Sequence, residues 1–261
     1  MLSVIIITKN EADNIRDCLA SVAWADEIIV VDSGSEDETV AICREYTDKI
    51  YETDWPGFGI QKQRALNRVT GDWVLSIDAD ECVTPLLREE IERVIANPGA
   101  CVAWKIPRLS RFCGRYMRHS GWWPDYVVRL FAKDQARFSD DMVHEQVLVN
   151  GAVGTLTGHF IHETIESFEV LLSKMNQYTS AGALMASQKG KKGSLRKAIG
   201  HGVWAFFRSY VLRAGFLDGR EGFILAVSIP RSKRSPRSCS ASMSRARKRS
   251  SWSNGPARAC S

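Results

Sequence analysis

The sequence predicts an α/β fold on a parallel sheet. Three observations carry this: four short apolar runs, helical hydrophobic spacing after each, and polar turns where run meets helix. "LSVIIIT" opens the chain as a β-branched run suited to a strand covered on both faces. "EADNIRDCLASV" follows with helical spacing through Ile15, Leu19 and Val22. "DEIIVVDSGSEDETV" repeats the unit, with a strand to Val31, a Gly-containing turn at Asp32 to Ser35 and a helix running on through "AICREY". A third round gives "KIYETD" and the helix "GFGIQKQRALNRV". A fourth gives "GDWVLSIDAD" and "PLLREEIERVIANP", with Pro85 near the helix start and Pro98 beyond its end. Successive βα rounds imply parallel pairing, because each crossover helix returns the chain to the same end of the sheet.

The 261 residues suffice for one large domain or two small ones, and 44% hydrophobic with 25% charged residues is an ordinary globular balance. Seven scattered cysteines form no C-x-x-C pair and no metal-ligand spacing, which predicts free thiols in a reducing compartment. The N-terminal apolar run is short and runs into Lys9, Asn10 and Glu11, so it fails as a signal peptide. No apolar stretch approaches the roughly 20 residues of a membrane span, so the expectation is a cytoplasmic protein, soluble or peripheral on a membrane surface. The charge of +5 is uneven. Residues 229–261 carry seven Arg, two Lys and no acid, which leaves −4 on the remainder. This Ser/Arg-rich tail lacks hydrophobic periodicity and is expected to be disordered.

Ligands of open parallel sheets bind beyond the carboxyl ends of the strands. Thr8 to Glu11, Asp32 to Gly34, Asp54 and Asp78 to Asp80 all fall at such ends. In "LSIDADECV", Asp78 and Asp80 are separated by one residue where a buried strand stops. Two such carboxylates reach one Mg²⁺ or Mn²⁺ and the ribose or phosphates around it, since these cations take few protein carboxylates when phosphates supply the other oxygens.

"TKNE" at 8–11, "VDSGSEDET" at 31–39, "GFGIQKQRALN" at 57–67 and "SIDADE" at 76–81 resemble the family 2 glycosyltransferases. "GWWPDYVVRLF" at 121–131, "VHEQV" at 143–147 and "FFRSYVLRAGFLDGREGF" at 206–223 resemble, more narrowly, the bacterial lipopolysaccharide core-region β-1,4-glucosyltransferases. The resemblance covers about residues 1–227 and stops at the tail. It implies a GT-A nucleotide-sugar-binding fold, with a mainly parallel central sheet flanked by helices and a C-terminal helical segment. It implies a domain at 1–165, a helical extension at 166–227 and the separate tail at 228–261.

The resemblance also implies roles. Thr8, Asn10 and Glu11 hold the nucleotide, against the alternative that Thr8 and Asn10 cap the first helix. Asp32 accepts from base or ribose hydroxyls, Lys62 reaches the diphosphate, Asp78 serves the ribose side and Asp80 ligates the metal. Trp122 and Trp123 offer flat faces to a sugar ring, against burial of at least one in the core. Asp125 and Arg129 follow on a strand. Inverting transfer needs one base for the acceptor hydroxyl proton, with Glu145 the first choice and Asp141 the second. His144 orients a phosphate, against the alternative of a satisfied structural histidine, while His119, His159, His162 and His201 receive no role.

Beyond Glu166, "SFEVLLSKMNQYTSAGALMASQ" reads as an amphipathic helix, "KGKKGSLRK" as a basic loop and "AIGHGVWAFFRSYVLRAGF" as an aromatic, Arg-bearing helix. That helix either lies at a lipid interface or packs on the catalytic domain. The sum is an inverting, metal-dependent hexosyltransferase at the cytoplasmic face of the inner membrane, with UDP-glucose as donor and a lipid-linked lipopolysaccharide inner-core acceptor. A nucleotidyltransferase acting on sugar phosphates is one alternative, though "TKNEADN" has no glycine for a phosphate loop. A nucleic-acid-binding protein is the other, resting on the tail alone, and no nucleic acid partner is expected.

Overall fold

β1 (Leu2–Thr8) and β2 (Glu27–Asp32) are buried at every position, as strands covered on both faces must be. The computed structural model describes residues 1–139, 145–165 and 194–228, with Glu169 and Leu171. β3 (Ile50–Glu52) and β4 (Trp73–Asp78) complete a parallel set in the order β3-β2-β1-β4. The crossovers are α1 (Ile15–Val22), α2 (Thr39–Cys43) and α3 (Phe58–Leu66).

The run of consecutive parallel strands ends at β4. After β5 (Glu81–Val83) and α4 (Pro85–Ala96) come β6 (Cys101–Phe112), β7 (Arg115–Tyr116) and β8 (Asp125–Ala132). β8 runs antiparallel to both β4 and β6. The turn from β6 to β8 holds no crossover helix, so the chain simply reverses. β9 (Ala136–Phe138) and β10 (Val147–Val149) form a separate two-stranded ladder. β11 (Ala152–Thr155) and β12 (Phe160–Ile165) add to β6 in parallel, and β12 pairs antiparallel with β5. The central sheet is thus mixed, with its parallel half first in sequence.

Strand alternation sends Leu2, Val4 and Ile6 to one face, against Ile15, Leu19 and Val22 of α1 and Leu87 and Ile91 of α4. Ile5 and Ile7 go to the other, against Ala65 and Leu66 of α3. Thr84 caps α4, its hydroxyl accepting from the Leu87 N–H and donating to the His159 carbonyl at 2.8 Å. Gly158 meets that helix so closely that a Cβ would lie 2.5 Å from the Leu87 Cα.

The C-terminal segment is α5 (Leu195–Phe206), a π-helical turn at Phe207–Leu212, a 3₁₀ turn at Gly215–Asp218 and α6 (Gly219–Ser228). The segment has one buried side and one exposed apolar side. Gly215, Asp218, Gly222, Leu225 and Ala226 are buried, and Leu225 joins a cluster with Phe112, Met117 and Leu171. Ile199, Val203, Phe207 and Val211 recur every four residues and stay exposed, with Trp204 beside them. Among the described residues no helix is long and apolar enough to cross a membrane. Met1–Ile229 is one compact unit. The helix expected at 167–188, most of the basic loop and the tail lie outside the described residues.

Candidate active site

Register brings the predicted strand ends together. Thr8 pairs with Asp32, and Ile7 pairs with Asp78, so the carboxyl ends of β2, β1 and β4 lie side by side. Thr8 is buried, and its hydroxyl has no hydrogen-bond partner among the described residues. Asn10 adopts a left-handed φ of 54°, and its Oδ1 accepts from the Glu36 N–H at 2.8 Å. The Glu11 N–H donates to the Thr39 hydroxyl at 2.8 Å, and the Asn14 amide donates to its carboxylate at 3.0 Å. Thr8 and Asn10 do not cap α1, whose N-cap residue is Asn14. Asp32 is buried, and its Oδ2 accepts from the Gly34 and Ser35 N–H groups, each at 2.8 Å. The Ser35 hydroxyl takes Oδ1, so this carboxylate closes its own turn and keeps only its remaining lone pairs for a ligand.

Asp78 is the centre of an ionic network. The Lys62 ammonium, 3% exposed, lies 2.7 Å from Asp78 Oδ1 and 2.8 Å from Glu145 Oε1. Arg129 reaches both Asp78 oxygens and donates to Glu81 Oε1 at 3.3 Å. Glu81 is fully buried, and its Oε2 accepts from the Asp78 N–H at 3.0 Å. Arg108 joins Glu81 at 3.3 Å to Asp125 at 2.5 Å. Burial alone would push the Asp78 carboxyl up, yet Arg129 and Lys62 hold it well below the usual carboxylate range. The same carboxylates, Asp78 and Glu81, keep the buried Arg129 guanidinium above its ordinary value.

Asp80 faces elsewhere, with Oδ2 3.3 Å from His162 Nε2. His162 Nδ1 lies 3.0 Å from the Ser110 hydroxyl. Burial lowers the imidazole pKa, but Asp80 outweighs it and holds His162 above 6.5. The three acids of "DADE" therefore do three jobs: Asp78 meets Lys62 and Arg129, Asp80 meets His162, and Glu81 spans Arg108 and Arg129.

Among the described residues no group of three or more His, Cys, Asp and Glu side chains is poised to hold a metal. Asp80 and His162 still fit a divalent cation whose other ligands are diphosphate and water oxygens. Charge supports that fit. Lys62, Arg108 and Arg129 pair with four carboxylates, Asp78, Glu81, Asp125 and Glu145, while Asp80 stands beside His162, and a diphosphate would meet the acidic excess unscreened.

The site differs from the sequence expectation at particular residues. Lys62, expected at the diphosphate, is an internal cation between Asp78 and Glu145. Trp122 and Trp123 are both half-buried, Trp122 edge-on to Phe112 at 5.8 Å and Trp123 edge-on to His159 at 5.4 Å. Asp141 and His144 lie outside the described residues. His162, given no role from sequence, sits against Asp80, because β12 pairs with β5 and the Glu163 N–H donates to the Asp80 carbonyl. Glu81 was also missed as the carboxylate that Arg108 and Arg129 share. Glu81 was visible in "DADE", whereas no local pattern ties residue 80 to 162.

The profile of Glycosyl transferase family 2 matches residues 3–153, which contain the strand ends, Lys62, the three acids and Glu145. An uncharacterized glycosyltransferase of Rickettsia typhi is 33% identical over 238 residues, covering 87% of this chain and 82% of its own. The lipopolysaccharide core biosynthesis glycosyltransferase LpsC of Rhizobium meliloti is 31% identical over 240 residues, covering 87% of each chain. Among solved structures, S. aureus TarS 1–349 in complex with UDP-GlcNAc gives a TM-score of 0.49 at 18% identity, covering 86% of this chain and 79% of that one. A profile over more than half of the chain, and relatives matched along most of their length, show that this protein belongs to glycosyl transferase family 2.

Proposed function

We propose that the protein is an inverting glycosyltransferase that moves a hexose from a nucleotide-sugar donor, with UDP-glucose as the leading candidate, to a lipid-linked lipopolysaccharide inner-core saccharide. One observation carries the reading: Asp78, Lys62 and Glu145 form a continuous ionic chain at the carboxyl ends of the parallel strands. Thr8, with its buried, unpartnered hydroxyl, ends the neighbouring strand and suits a nucleotide. Asn10, Glu11, Asp32 and Asp78 line the nucleotide side. Glu145 accepts the acceptor hydroxyl proton while that oxygen bonds to the anomeric carbon and the bond to the donor diphosphate breaks. Lys62 keeps Glu145 in reach of this centre, and Asp141 is the second candidate for the base.

Asp80 and His162 would hold Mg²⁺ or Mn²⁺, which when bound neutralises the departing diphosphate. The name of LpsC, a lipopolysaccharide core biosynthesis enzyme, supports the acceptor class. The exposed stripe of Ile199, Val203, Phe207 and Val211, with Arg196 and Arg208 exposed on the same segment, suits peripheral contact with an anionic membrane at its cytoplasmic face.

The test is nucleotide release from a donor panel with and without a de-acylated inner-core oligosaccharide, under metal titration. Single-turnover transfer is expected to fall about 10²- to 10⁴-fold in Glu145→Gln with calorimetric donor affinity intact. Asp80→Asn weakens Mn²⁺-dependent donor binding. Near wild-type transfer by Glu145→Gln, beside a dead Asp141→Asn that still binds donor, assigns the base to Asp141 instead.

A further inference from the structure

The C-terminal segment is fastened to the loop at residues 117–124 by a set of bonds that the transfer chemistry does not use. Its centre is Asp218, 2% exposed. Asp218 Oδ1 accepts from the Arg118 N–H at 3.2 Å, Oδ2 accepts from the His119 N–H at 2.9 Å, and His119 Nδ1 lies 2.9 Å from Oδ1. The Ser120 N–H donates to the Arg213 carbonyl at 3.0 Å, and the Ser209 hydroxyl donates to the Ser120 carbonyl at 3.4 Å. Packing is equally close. A Cβ on Gly121 would lie 2.1 Å from the Arg213 guanidinium, and one on Gly215 would lie 2.8 Å from the Ser209 carbonyl oxygen.

The loop needs such a hold. Ser120 and Gly121 both adopt left-handed φ, 56° and 71°, a conformation that persists when surrounding contacts over-determine it. A buried carboxylate is costly unless its oxygens are filled, and here two successive backbone N–H groups and one ring fill them. Directly downstream stand Trp122 and Trp123, then Asp125, which opens β8 on Arg108 and so connects to the ionic network of Asp78. The segment that carries the exposed apolar stripe is thereby tied to the loop that leads into the site.

We propose that Asp218 is a positioning residue for acceptor recognition: it fixes the 117–124 loop so that Trp122 and Trp123 present a preformed face to a saccharide ring. This rests on the reading of those tryptophans as the acceptor side. The helical segment is then part of acceptor binding, and saccharide specificity depends on residues far downstream of the family-matched region.

The test uses the full chain, Asp218→Asn and His119→Ala. Steady-state kinetics toward a de-acylated inner-core oligosaccharide are measured with calorimetric donor binding and amide exchange at residues 118–123. Asp218→Asn is expected to raise the acceptor KM about 10- to 100-fold, leave donor affinity unchanged and speed exchange at Ser120 and Trp122. His119→Ala, which removes one of the contacts, gives a smaller change in the same direction. A folded Asp218→Asn with wild-type acceptor KM overturns the proposal, as does a parallel loss of donor affinity. Should Asp218→Asn fail to fold, His119→Ala decides by the same criteria. If the wild-type enzyme transfers to no saccharide, the functional reading falls, and amide exchange alone judges the clamp: unchanged protection in the variants overturns it.

Discussion

The two ends of the parallel strands each hold a carboxylate, and they treat it in different ways. At the amino end, Glu27 accepts from the Ser3 hydroxyl, from the Thr70 N–H and hydroxyl, each at 2.9 Å, and from Lys49, which is itself 46% exposed. At the carboxyl end, Asp78 is met by two cations, Lys62 and Arg129, that are 3% and 7% exposed. Neutral donors and one exposed lysine, Lys49, close around Glu27 and complete a local joint. Buried cations are shared onward from Asp78, to Glu145 through Lys62 and to Glu81 through Arg129. The lesson concerns connectivity. A carboxylate satisfied mainly by hydroxyls and amides ends its own network, whereas one satisfied by shared buried cations sets the charge of its neighbours.

The largest expected effect breaks the shared end. Arg129→Met leaves Asp78 with Lys62 alone and the buried Glu81 with Arg108 alone, and urea denaturation should show a loss of about 3 kcal/mol together with abolished donor binding. A variant as stable as the wild type would mean that Lys62 and Arg108 suffice to hold the two carboxylates.

Glu27→Gln sharpens the contrast at the other end. Burial opposes the charge of Glu27, but Lys49, Ser3 and Thr70 hold the carboxyl down at about 2, against an ordinary 4.5. The resulting stabilisation, about 3 kcal/mol, is complete above pH 4.5 and is lost as pH falls toward 2. Glu27→Gln should cost ~2–3 kcal/mol at neutral pH, flatten that acid dependence and leave calorimetric donor affinity unchanged. Weakened donor binding would show that the two ends are coupled.

Thr8→Val should have the smallest effect on stability, within ~1 kcal/mol, because the hydroxyl has no partner to lose. Donor affinity should nevertheless fall about fivefold if that hydroxyl meets the nucleotide. Wild-type donor affinity in Thr8→Val would remove the hydroxyl from the site.

Local pattern was enough for the parallel half of the sheet. Strand and helix periods differ, so each βα round announces itself, and consecutive rounds leave one pairing direction. For the same reason Thr8, Asp32 and Asp78 were recognisable as neighbours from their places at strand ends. The antiparallel half was not recognisable, because β5 and β12 pair across about 80 residues with no periodicity to link them. The strand-end acids were therefore written in the chain's own order. Their partners were assigned by long-range contact alone: His162 to Asp80, Arg129 to Glu81, Lys62 to Glu145 and Asp218 to His119. Periodicity reports which side of an element is buried, whereas the identity of a charged partner depends on which distant strand or loop folds against that side.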